Sequence, residues 1–184
     1  SYDAAGKSRQ IQDSAGRITQ FTVDGQGDLV QITTPELCIT SLAYDAQHRL
    51  TSWTNAEQDR TTFAYDGQGR VLGVEAPDGA RTTYAYQSGV TAVTDARGYT
   101  TTFAFADGDS STGSVVDPLG HRTTYSWDDN RLTGIEDAMG NRATFGYHTT
   151  AEGRQTLSEI EWMDGSRFTF VYDGQDRVSS LINQ

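Results

Sequence analysis

The sequence has little of what usually builds a globular core or crosses a membrane. Hydrophobic residues make up 35% of its 184 positions, below the usual share of about 45–50%. No apolar run approaches the roughly 18 residues that a membrane helix needs, so we predict no membrane span. The chain begins at Ser1, without a methionine or a basic-then-apolar signal segment. We therefore expect a fragment of a longer polypeptide.

Cysteine and positive charge are also scarce. Cys38 is the single cysteine, which excludes an internal disulfide and a cysteine-ligated zinc site. Lys and Arg number 14 against 25 Asp and Glu, a formal net charge of −11. A phosphate backbone needs a cationic surface, so we predict no nucleic-acid partner. The same charge disfavours anionic membranes and acidic substrates.

What the sequence does contain is a repeat of about 21 residues. The motif aromatic-Asp-x-x-x-Arg-aliphatic is clearest in the copies that begin at Tyr44, Tyr65 and Tyr172. Weaker copies begin at Tyr2, Val23, Tyr86, Phe105, Trp127 and Tyr147. We call these positions the start residues. We interpret residues 1–184 as a single array of about nine repeats.

Each repeat has a second half with its own signature: an acidic residue, then a turn glycine, then Arg-Thr-Thr and an aromatic. The fullest version runs from Asp117 to Tyr125. Its turn glycines include Gly79, Gly120 and Gly140, and the sharpest hairpin signals are Asp78-Gly79 and Asp164-Gly165. Gln58 replaces this glycine in one copy. In the stretch 33–41 the pattern is lost, and Pro35 there forbids a central-strand hydrogen bond.

The spacing of the turn residues predicts an all-β fold. Turn residues fall about every 8–12 positions, with runs rich in Thr, Val, Ile, Tyr and Phe between them, which is typical of short antiparallel strands. Runs such as 61–65 and 123–127 place two aromatics two residues apart, so both rings share one face. One repeat then forms a hairpin of two strands, and neighbouring hairpins cover its aromatic face. We expect the hairpins to form a coiled, curved sheet whose aromatics supply most of the burial.

Aspartate and arginine hold fixed places in the repeat. An aspartate directly follows the start residue, and a cation lies five residues after the start residue. Examples are Asp45 with Arg49, Asp66 with Arg70, and Asp173 with Arg177. Lys7 holds this cation position in the first copy, and Arg131 lies one residue short of it. A second arginine position recurs at Arg60, Arg81, Arg122, Arg142 and Arg167. A catalytic pair would not recur in every copy, so we interpret these pairs as turn-stabilising contacts.

These motifs resemble the RHS or YD repeat family. The family pattern is aromatic-Asp-x-x-Gly-Arg-Leu, then a glycine turn and a Thr-rich strand. It stands most clearly in residues 65–71, Tyr-Asp-Gly-Gln-Gly-Arg-Val. The resemblance covers nearly the whole chain and is weakest at 33–41 and 149–156. The family includes bacterial Rhs proteins, the shell components of insecticidal Tc toxins, and animal teneurins.

The resemblance implies a function of containment. In this family a long β-sheet spirals into a hollow cocoon, which in the bacterial members encloses a C-terminal toxin until delivery. Many Rhs proteins travel by type VI secretion and act against competing bacteria. The implied partners are the chain's own flanking repeats and the toxin cargo, and the implied location is secreted or delivered from a bacterium. The autoproteolytic core and the toxin are absent from this sequence, so we expect a non-enzymatic wall segment.

Two other functions stay open at this point. Aromatic faces with Asp and Arg pairs also suit sugars, so an adhesin-like module that binds carbohydrate or a cell surface is the alternative. A hydrolase is less favoured, because the many aspartates offer accidental pairs and nothing singles out one of them. In addition, an open sheet ends in unpaired strands, which predicts association of copies edge to edge.

No pattern points to a cofactor, a metal or a catalytic residue. His48, His121 and His148 fall in predicted turns of three different repeats. The acidic stretches 107–109 and 128–129 lack the spacing of a calcium loop, so we interpret them as solvated turns. The residues that we predict to matter are structural: Tyr44, Asp45, Arg49, Tyr65, Asp66, Gly69, Arg70, Gly79, Tyr84, Asp117, Gly120, Tyr125, Trp127, Gly140, Tyr172, Asp173 and Arg177.

Overall fold

The structure is a computed structural model that describes residues 9–105, 112–150 and 152–184. The start residue Tyr2, Lys7 and the acidic stretch 107–109 lie outside the described residues. Within these ranges the secondary structure consists of β-strands, which confirms the predicted all-β class. The described residues include no helix long and apolar enough to span a membrane.

The strands are short and follow one another along the chain. Their bounds are β1 (Gln10–Gln12), β2 (Ile18–Val23), β3 (Leu29–Thr33), β4 (Ile39–Tyr44), β5 (Leu50–Thr54), β6 (Arg60–Tyr65), β7 (Val71–Glu75), β8 (Arg81–Gln87), β9 (Val90–Thr94), β10 (Thr100–Phe105), β11 (Thr112–Val116), β12 (Arg122–Asp128), β13 (Arg131–Glu136), β14 (Arg142–Thr149), β15 (Gln155–Glu161), β16 (Arg167–Tyr172) and β17 (Val178–Asn183). Two strands per repeat is what the sequence predicted.

The chain divides into two compact units, residues 1–84 with 95–97 and residues 85–94 with 98–184. In the first unit each strand from β1 to β8 pairs antiparallel with the next. In the second unit the strands from β9 to β17 do the same. The array of antiparallel hairpins is therefore confirmed within each unit.

Most strands are joined by one kind of five-residue turn. In turn 66–70 the N–H of Asp66 donates to the carbonyl of Arg70 at 2.9 Å, and the N–H of Gly69 donates to the carbonyl of Asp66 at 3.1 Å. The fourth residue has a positive φ, 82° at Gly69, which favours glycine. The same two bonds close turns 13–17, 24–28, 34–38, 45–49, 55–59, 76–80, 117–121, 137–141, 150–154, 162–166 and 173–177.

The turn persists where the sequence pattern is lost. Within 33–41, the N–H of Leu37 donates to the carbonyl of Thr34 at 2.9 Å, and Leu37 takes a φ of 63°. Pro35 holds the second turn position, where its fixed φ fits and no strand hydrogen bond is lost. Non-glycine residues also hold the fourth position with positive φ at His48, Gln58 and Asp176. The strands on either side therefore impose this turn on sequences that lack its glycine.

A β-bulge lies opposite six of the start residues. Between Ala64 and Tyr65 of β6, the register skips Leu72 of β7. The same irregularity precedes Val23, Tyr44, Trp127, Tyr147 and Tyr172. A bulge adds one unpaired residue and increases the local twist. The bulge is not apparent from the repeat pattern.

The two faces of β5 and β6 carry different side chains. Ser52 lies opposite Thr62 on one face, and Trp53 lies opposite Thr61 on the other. Ala143 is the one buried hydrophobic residue among those described, while Trp53 and Phe105 are exposed. The prediction that the aromatics form a buried face is therefore wrong for these two units. A single layer of strands covers a ring from its sides only, so most aromatics are half-buried.

Candidate functional site

We call the five-residue turns that follow a start residue the start turns: 24–28, 45–49, 66–70, 150–154 and 173–177. In turn 66–70, Oδ1 of Asp66 accepts the N–H groups of Gln68 and Arg70, both at 2.9 Å. Its Oδ2 accepts Nε of Arg70 at 2.7 Å. The backbone N–H of Arg70, assisted by its guanidinium, lowers the pKa of the Asp66 carboxyl. The Asp66 carboxylate therefore accepts three N–H groups of its own turn and stabilises the turn.

Arg49 joins its own start turn to the next repeat. Its Nε donates to Oδ2 of Asp45 at 2.7 Å, and its Nη1 donates to the backbone carbonyl of Asp66 at 3.2 Å. Its Cζ lies 4.8 Å from the ring centroid of Tyr65. Arg131 stacks on Tyr147 in the same way at 5.8 Å. Arg49 thus combines a cation–π contact with a hydrogen bond across the boundary between repeats.

A tyrosine hydroxyl crosses the same boundary in the opposite direction. The hydroxyl of Tyr65 donates to the carbonyl of Leu50 at 2.7 Å. The ladder between β5 and β6 ends at the pair Ser52–Thr62, so this hydroxyl satisfies a carbonyl beyond the end of the ladder. The same bond joins Tyr147 to Leu132 at 2.9 Å and Tyr172 to Leu157 at 2.6 Å.

The second fixed arginine faces a small residue on the preceding strand. Nη2 of Arg60 donates to Oγ of Ser52 at 3.3 Å, and Nη1 of Arg122 donates to Oγ of Ser114 at 2.9 Å. Glycine replaces serine in two further copies, Gly73 beside Arg81 and Gly134 beside Arg142. The repeat pattern predicted the arginine but not this partner, although a Ser or Gly lies eight residues before the arginine in four of the five copies.

The structure places most of the predicted structural residues at the start turns or at the ends of the strands that lead into them. This group comprises Tyr44, Asp45, Arg49, Tyr65, Asp66, Gly69, Arg70, Tyr172, Asp173 and Arg177. Tyr84 lies within β8, and Tyr125 and Trp127 lie within β12. Asp117 begins turn 117–121, and Gly79, Gly120 and Gly140 take φ values of 81°, 87° and 84° in theirs. No single centre collects these side chains.

The histidines are dispersed. His48 and His121 lie in turns and each contacts one aspartate through Nδ1 at 2.9 Å. His148 lies on β14 and not in a turn, because β14 stays paired with β15 as far as Thr149. Its Nδ1 lies 3.1 Å from Oγ1 of Thr156. Among the described residues, no three His, Cys, Asp or Glu side chains are grouped so that they could hold a metal.

The turn carboxylates are not arranged as general acids. Hydrogen bonds from within their own turns lower the pKa of Asp13, Asp24, Asp66, Asp117, Asp137, Asp164 and Asp173. A carboxyl that donates a proton near neutral pH needs a raised pKa. These groups are suited to accepting N–H groups in their charged form.

These features define a class of protein: an array of β-hairpins in which several neighbouring repeats are joined through the start residue and the start turn. The chain matches the family model "Teneurin YD-shell" over residues 1–183 and belongs to that family. The prediction of a YD repeat is confirmed, and the family gives the chain a structural, shell-forming role. No curated protein matches the sequence.

Several solved structures of Tc toxin components resemble this chain. The crystal structure of TcdB2-TccC3 is 12% identical with a TM-score of 0.48, and the match covers 100% of this chain and 14% of that one. TcdB2-TccC3-Cdc42 is 13% identical with a TM-score of 0.44, covering 100% and 15%. The Photorhabdus luminescens Tc holotoxin pore is 10% identical with a TM-score of 0.26, covering 100% and 16%. The chain thus spans about one-seventh of their length.

Proposed function

We propose that this chain is a wall segment of a longer YD-shell polypeptide, and that the wall encloses a C-terminal toxin until delivery to a competitor or host cell. The observation that supports this proposal is the contact between repeats. Arg49 stacks on Tyr65, and Tyr65 in turn holds the carbonyl of Leu50. Contacts of this kind are distributed along the chain and converge on no single centre, as a wall requires.

The sparse core supports the same proposal. Ala143 alone among the described hydrophobic residues is buried, so the chain does not build the closed core of an ordinary domain. A single layer of hydrogen-bonded strands can separate an interior from water. In this proposal, the predicted structural residues stabilise the wall, the flanking repeats and the toxin are its partners, and the polypeptide is secreted or delivered, by type VI secretion or as a Tc-like component.

Limited proteolysis of the natural full-length polypeptide tests the proposal. We expect the toxin region to be protected in the wild type and cleaved early in the double variant Arg49→Ala, Tyr65→Ala, because two contacts between repeats are lost. The exposed Leu119→Ala is the matched control and should leave protection unchanged. Equal cleavage of the toxin region in the wild type and the double variant would contradict containment.

An adhesin-like function is the second candidate, because Phe105 and Trp53 are exposed and rings of this kind stack on sugars. The cavity beside Phe105 is lined mainly by apolar groups, which leaves sugar hydroxyls with few partners. A glycan array probed with the chain and with Phe105→Ala separates the two functions. Binding that the variant loses would favour the adhesin.

Association of copies is a separate proposal about the sheet edge. Every residue of β17 is exposed, and the strand carries neither a charged residue nor a proline. Charged residues and prolines usually protect an edge strand from pairing with another chain. For the isolated 184-residue chain, we expect the sedimentation coefficient to rise with protein concentration. Leu181→Lys should suppress this rise. A monomer at every concentration would contradict this expectation.

A further inference from the structure

Several aspartates of this chain are directly followed by glycine. This dipeptide rearranges readily, because glycine has no Cβ to shield the backbone nitrogen that attacks the aspartyl side chain. Asp107 is one of these aspartates and lies outside the described residues. The others are Asp24, Asp66, Asp78, Asp164 and Asp173. Their turns hold the carboxylate by different numbers of hydrogen bonds, so one chain contains a graded series of the same dipeptide.

The carboxylates that begin start turns are held most firmly. Asp24, Asp66 and Asp173 each accept three N–H groups from within the turn. At Asp173 the donors are the backbone N–H groups of Gln175 and Arg177, at 2.8 and 3.0 Å, and Nε of Arg177, at 2.9 Å. The backbone N–H of the fifth turn residue, aided by the other donors, lowers the pKa of all three carboxyls. Their uncharged form, which must be present for water to leave, is therefore scarce.

Asp78 is held least. It is the third residue of turn 76–80, and its Oδ1 accepts the N–H of Ala80 at 2.9 Å. Within the described ranges, no second donor contacts this carboxylate. Asp78 and Gly79 are both exposed. The N–H of Gly79 donates to the carbonyl of Ala76 at 2.9 Å, so two hydrogen bonds must open before the Gly79 nitrogen reaches the carboxyl, against three in the start turns.

Asp164 is the matched comparison, because it holds the same third position in turn 162–166. Its Oδ1 accepts the hydroxyl of Ser166 at 2.7 Å and the N–H of Ser166 at 3.0 Å. The hydroxyl bond, followed by the N–H bond, lowers the pKa of the Asp164 carboxyl. Ala80 holds the corresponding fifth position of turn 76–80 and has no hydroxyl. At the carboxylate, the two turns thus differ by one donor.

We propose that Asp78 is the principal site, among the described residues, at which the folded chain isomerises spontaneously to isoaspartate. The Gly79 nitrogen attacks Cγ of the uncharged Asp78 carboxyl. A C–N bond forms, a C–O bond breaks, and the carboxyl hydroxyl leaves with the amide proton as water. A second water molecule then opens the succinimide ring at one of its two carbonyls. Opening at Cγ restores aspartate, and opening at the α-carbonyl leaves the main chain running through Cβ and Cγ as isoaspartate.

The product lengthens the main chain of the turn by one methylene group. Turn 76–80 is closed by the N–H of Ala76, which donates to the carbonyl of Ala80 at 2.8 Å, and by the bond from Gly79 to Ala76. The added methylene lies between these partners, so isoaspartate weakens the closure of the hairpin formed by β7 and β8. The inference does not depend on the proposed containment function, so its failure would leave that proposal intact.

Heavy-oxygen water tests the proposal. The full chain is incubated at neutral pH in this water, both folded and in urea, and is then digested with trypsin in ordinary water. Each passage through the succinimide adds one heavy oxygen. Trypsin places the five described dipeptides in separate peptides, namely 18–49, 61–70, 71–81, 155–167 and 168–177.

The measured quantity is the labelling rate of each peptide in the folded chain divided by its rate in urea, which cancels the influence of neighbouring residues. We expect this ratio to be at least about threefold higher for 71–81 than for the other four peptides, because fewer hydrogen bonds must open. A carboxyl methyltransferase specific for isoaspartate should then modify 71–81. Equal ratios for all five peptides would overturn the proposal.

Reciprocal substitutions at the fifth turn position test the cause. Ser166→Ala removes the hydroxyl from Asp164 and should raise the labelling of its peptide by about three- to tenfold. Ala80→Ser supplies a hydroxyl to Asp78 and should lower the labelling of 71–81 by a similar factor. In each variant the unchanged turn is the control. Wild-type labelling in both folded variants would refute the assignment, as would label on 71–81 in Asp78→Glu, whose longer side chain disfavours the ring.

Discussion

The start turns and the remaining five-residue turns share one backbone conformation and differ in what their side chains reach. We call the second set the return turns: 13–17, 34–38, 55–59, 76–80, 117–121, 137–141 and 162–166. In the start turns, Arg49 contacts Asp66 of the next repeat, and Arg154 contacts Asp176 at 2.8 Å. Consecutive antiparallel strands place the two sets at opposite ends of the strands.

The return turns keep their contacts mostly to themselves. Asp117 bonds to His121 at 2.9 Å and Asp137 to Asn141 at 2.8 Å, both within one turn. The tips of these turns carry apolar side chains in water, with Leu119 79% and Met139 84% exposed. The same backbone turn therefore serves two purposes. At one end of the strands it closes a hairpin, and at the other it also joins that hairpin to its neighbour.

Acid should lower the stability of the folded chain more than any substitution below, because it protonates aspartates in both sets of turns at once. The folded-state pKa values of Asp66 and Asp137 lie below the ordinary value of 3.8, since hydrogen bonds from Arg70 and Asn141 favour the carboxylates. The resulting stability is present above the unfolded value and is lost as the pH falls through the folded one. Urea midpoints should therefore fall steeply below about pH 4, and Asp66→Asn should reduce this fall. A midpoint that stays constant down to pH 3 would contradict the role given to the aspartates.

Removing a start-residue ring should be the most damaging single change. Tyr65→Ala loses a half-buried ring, the bond to the Leu50 carbonyl and the support for Arg49. We expect the free energy of unfolding to fall by about 2–3 kcal/mol. Leu119→Ala at a return-turn tip should change it by less than about 0.5 kcal/mol. Equal losses in urea unfolding would remove the distinction between the two sets of turns.

The two sets of arginines provide a finer test. Arg49 is 28% exposed and contacts Tyr65 and the Asp66 carbonyl of the next repeat, whereas Arg17 is 63% exposed, bonds to Asp13 in its own return turn and lies 3.8 Å from the exposed Glu36. Arg49→Ala should cost about 1 kcal/mol through the lost contacts with Tyr65 and the Asp66 carbonyl. Arg17→Ala should have no measurable effect, because exposed ion pairs contribute little. Parallel thermal and urea unfolding of the two variants measures the difference.

Replacement of the residue at the fourth turn position by glycine should change the free energy of unfolding least, and should raise it. Leu37 has a φ of 63° in a return turn, so Leu37→Gly should raise the free energy of unfolding by about 0.5 kcal/mol. His48 has a similar φ of 60° in a start turn, but it also contacts Asp28 at 2.9 Å. His48→Gly should therefore give no gain. A gain of the same size in both variants would show that the His48 contact contributes nothing.

Much of this architecture follows from the sequence. The alternation of bulk in runs such as 61–65 and the regular turn residues predicted short antiparallel strands, two in each repeat. The spacing of Asp66 and Arg70 predicted a contact within one turn, because a turn of five residues brings its first and last side chains together. These are local consequences of backbone geometry, and local geometry is what a single repeat encodes.

Other features depend on neighbouring strands and were not predicted from the repeat pattern. The bulge opposite Tyr65 and the bond from its hydroxyl to Leu50 exist only when three strands are in register. The turn at 34–38 forms without its glycine, because the strands on both sides impose it. His148 was predicted in a turn and lies on a strand, since pairing with β15 continues past the start residue Tyr147.

The sequence by itself determined the strands, the turns and the family, since each rests on residues close together in the chain and is repeated many times. Only the tertiary structure decided what lies between repeats: which ring Arg49 covers, which carbonyl Tyr65 satisfies, and how far the aromatics are exposed. The reason is physical. Contacts within a turn depend on spacing, whereas contacts between repeats depend on register, twist and the single layer of strands, none of which is contained in one copy of the motif.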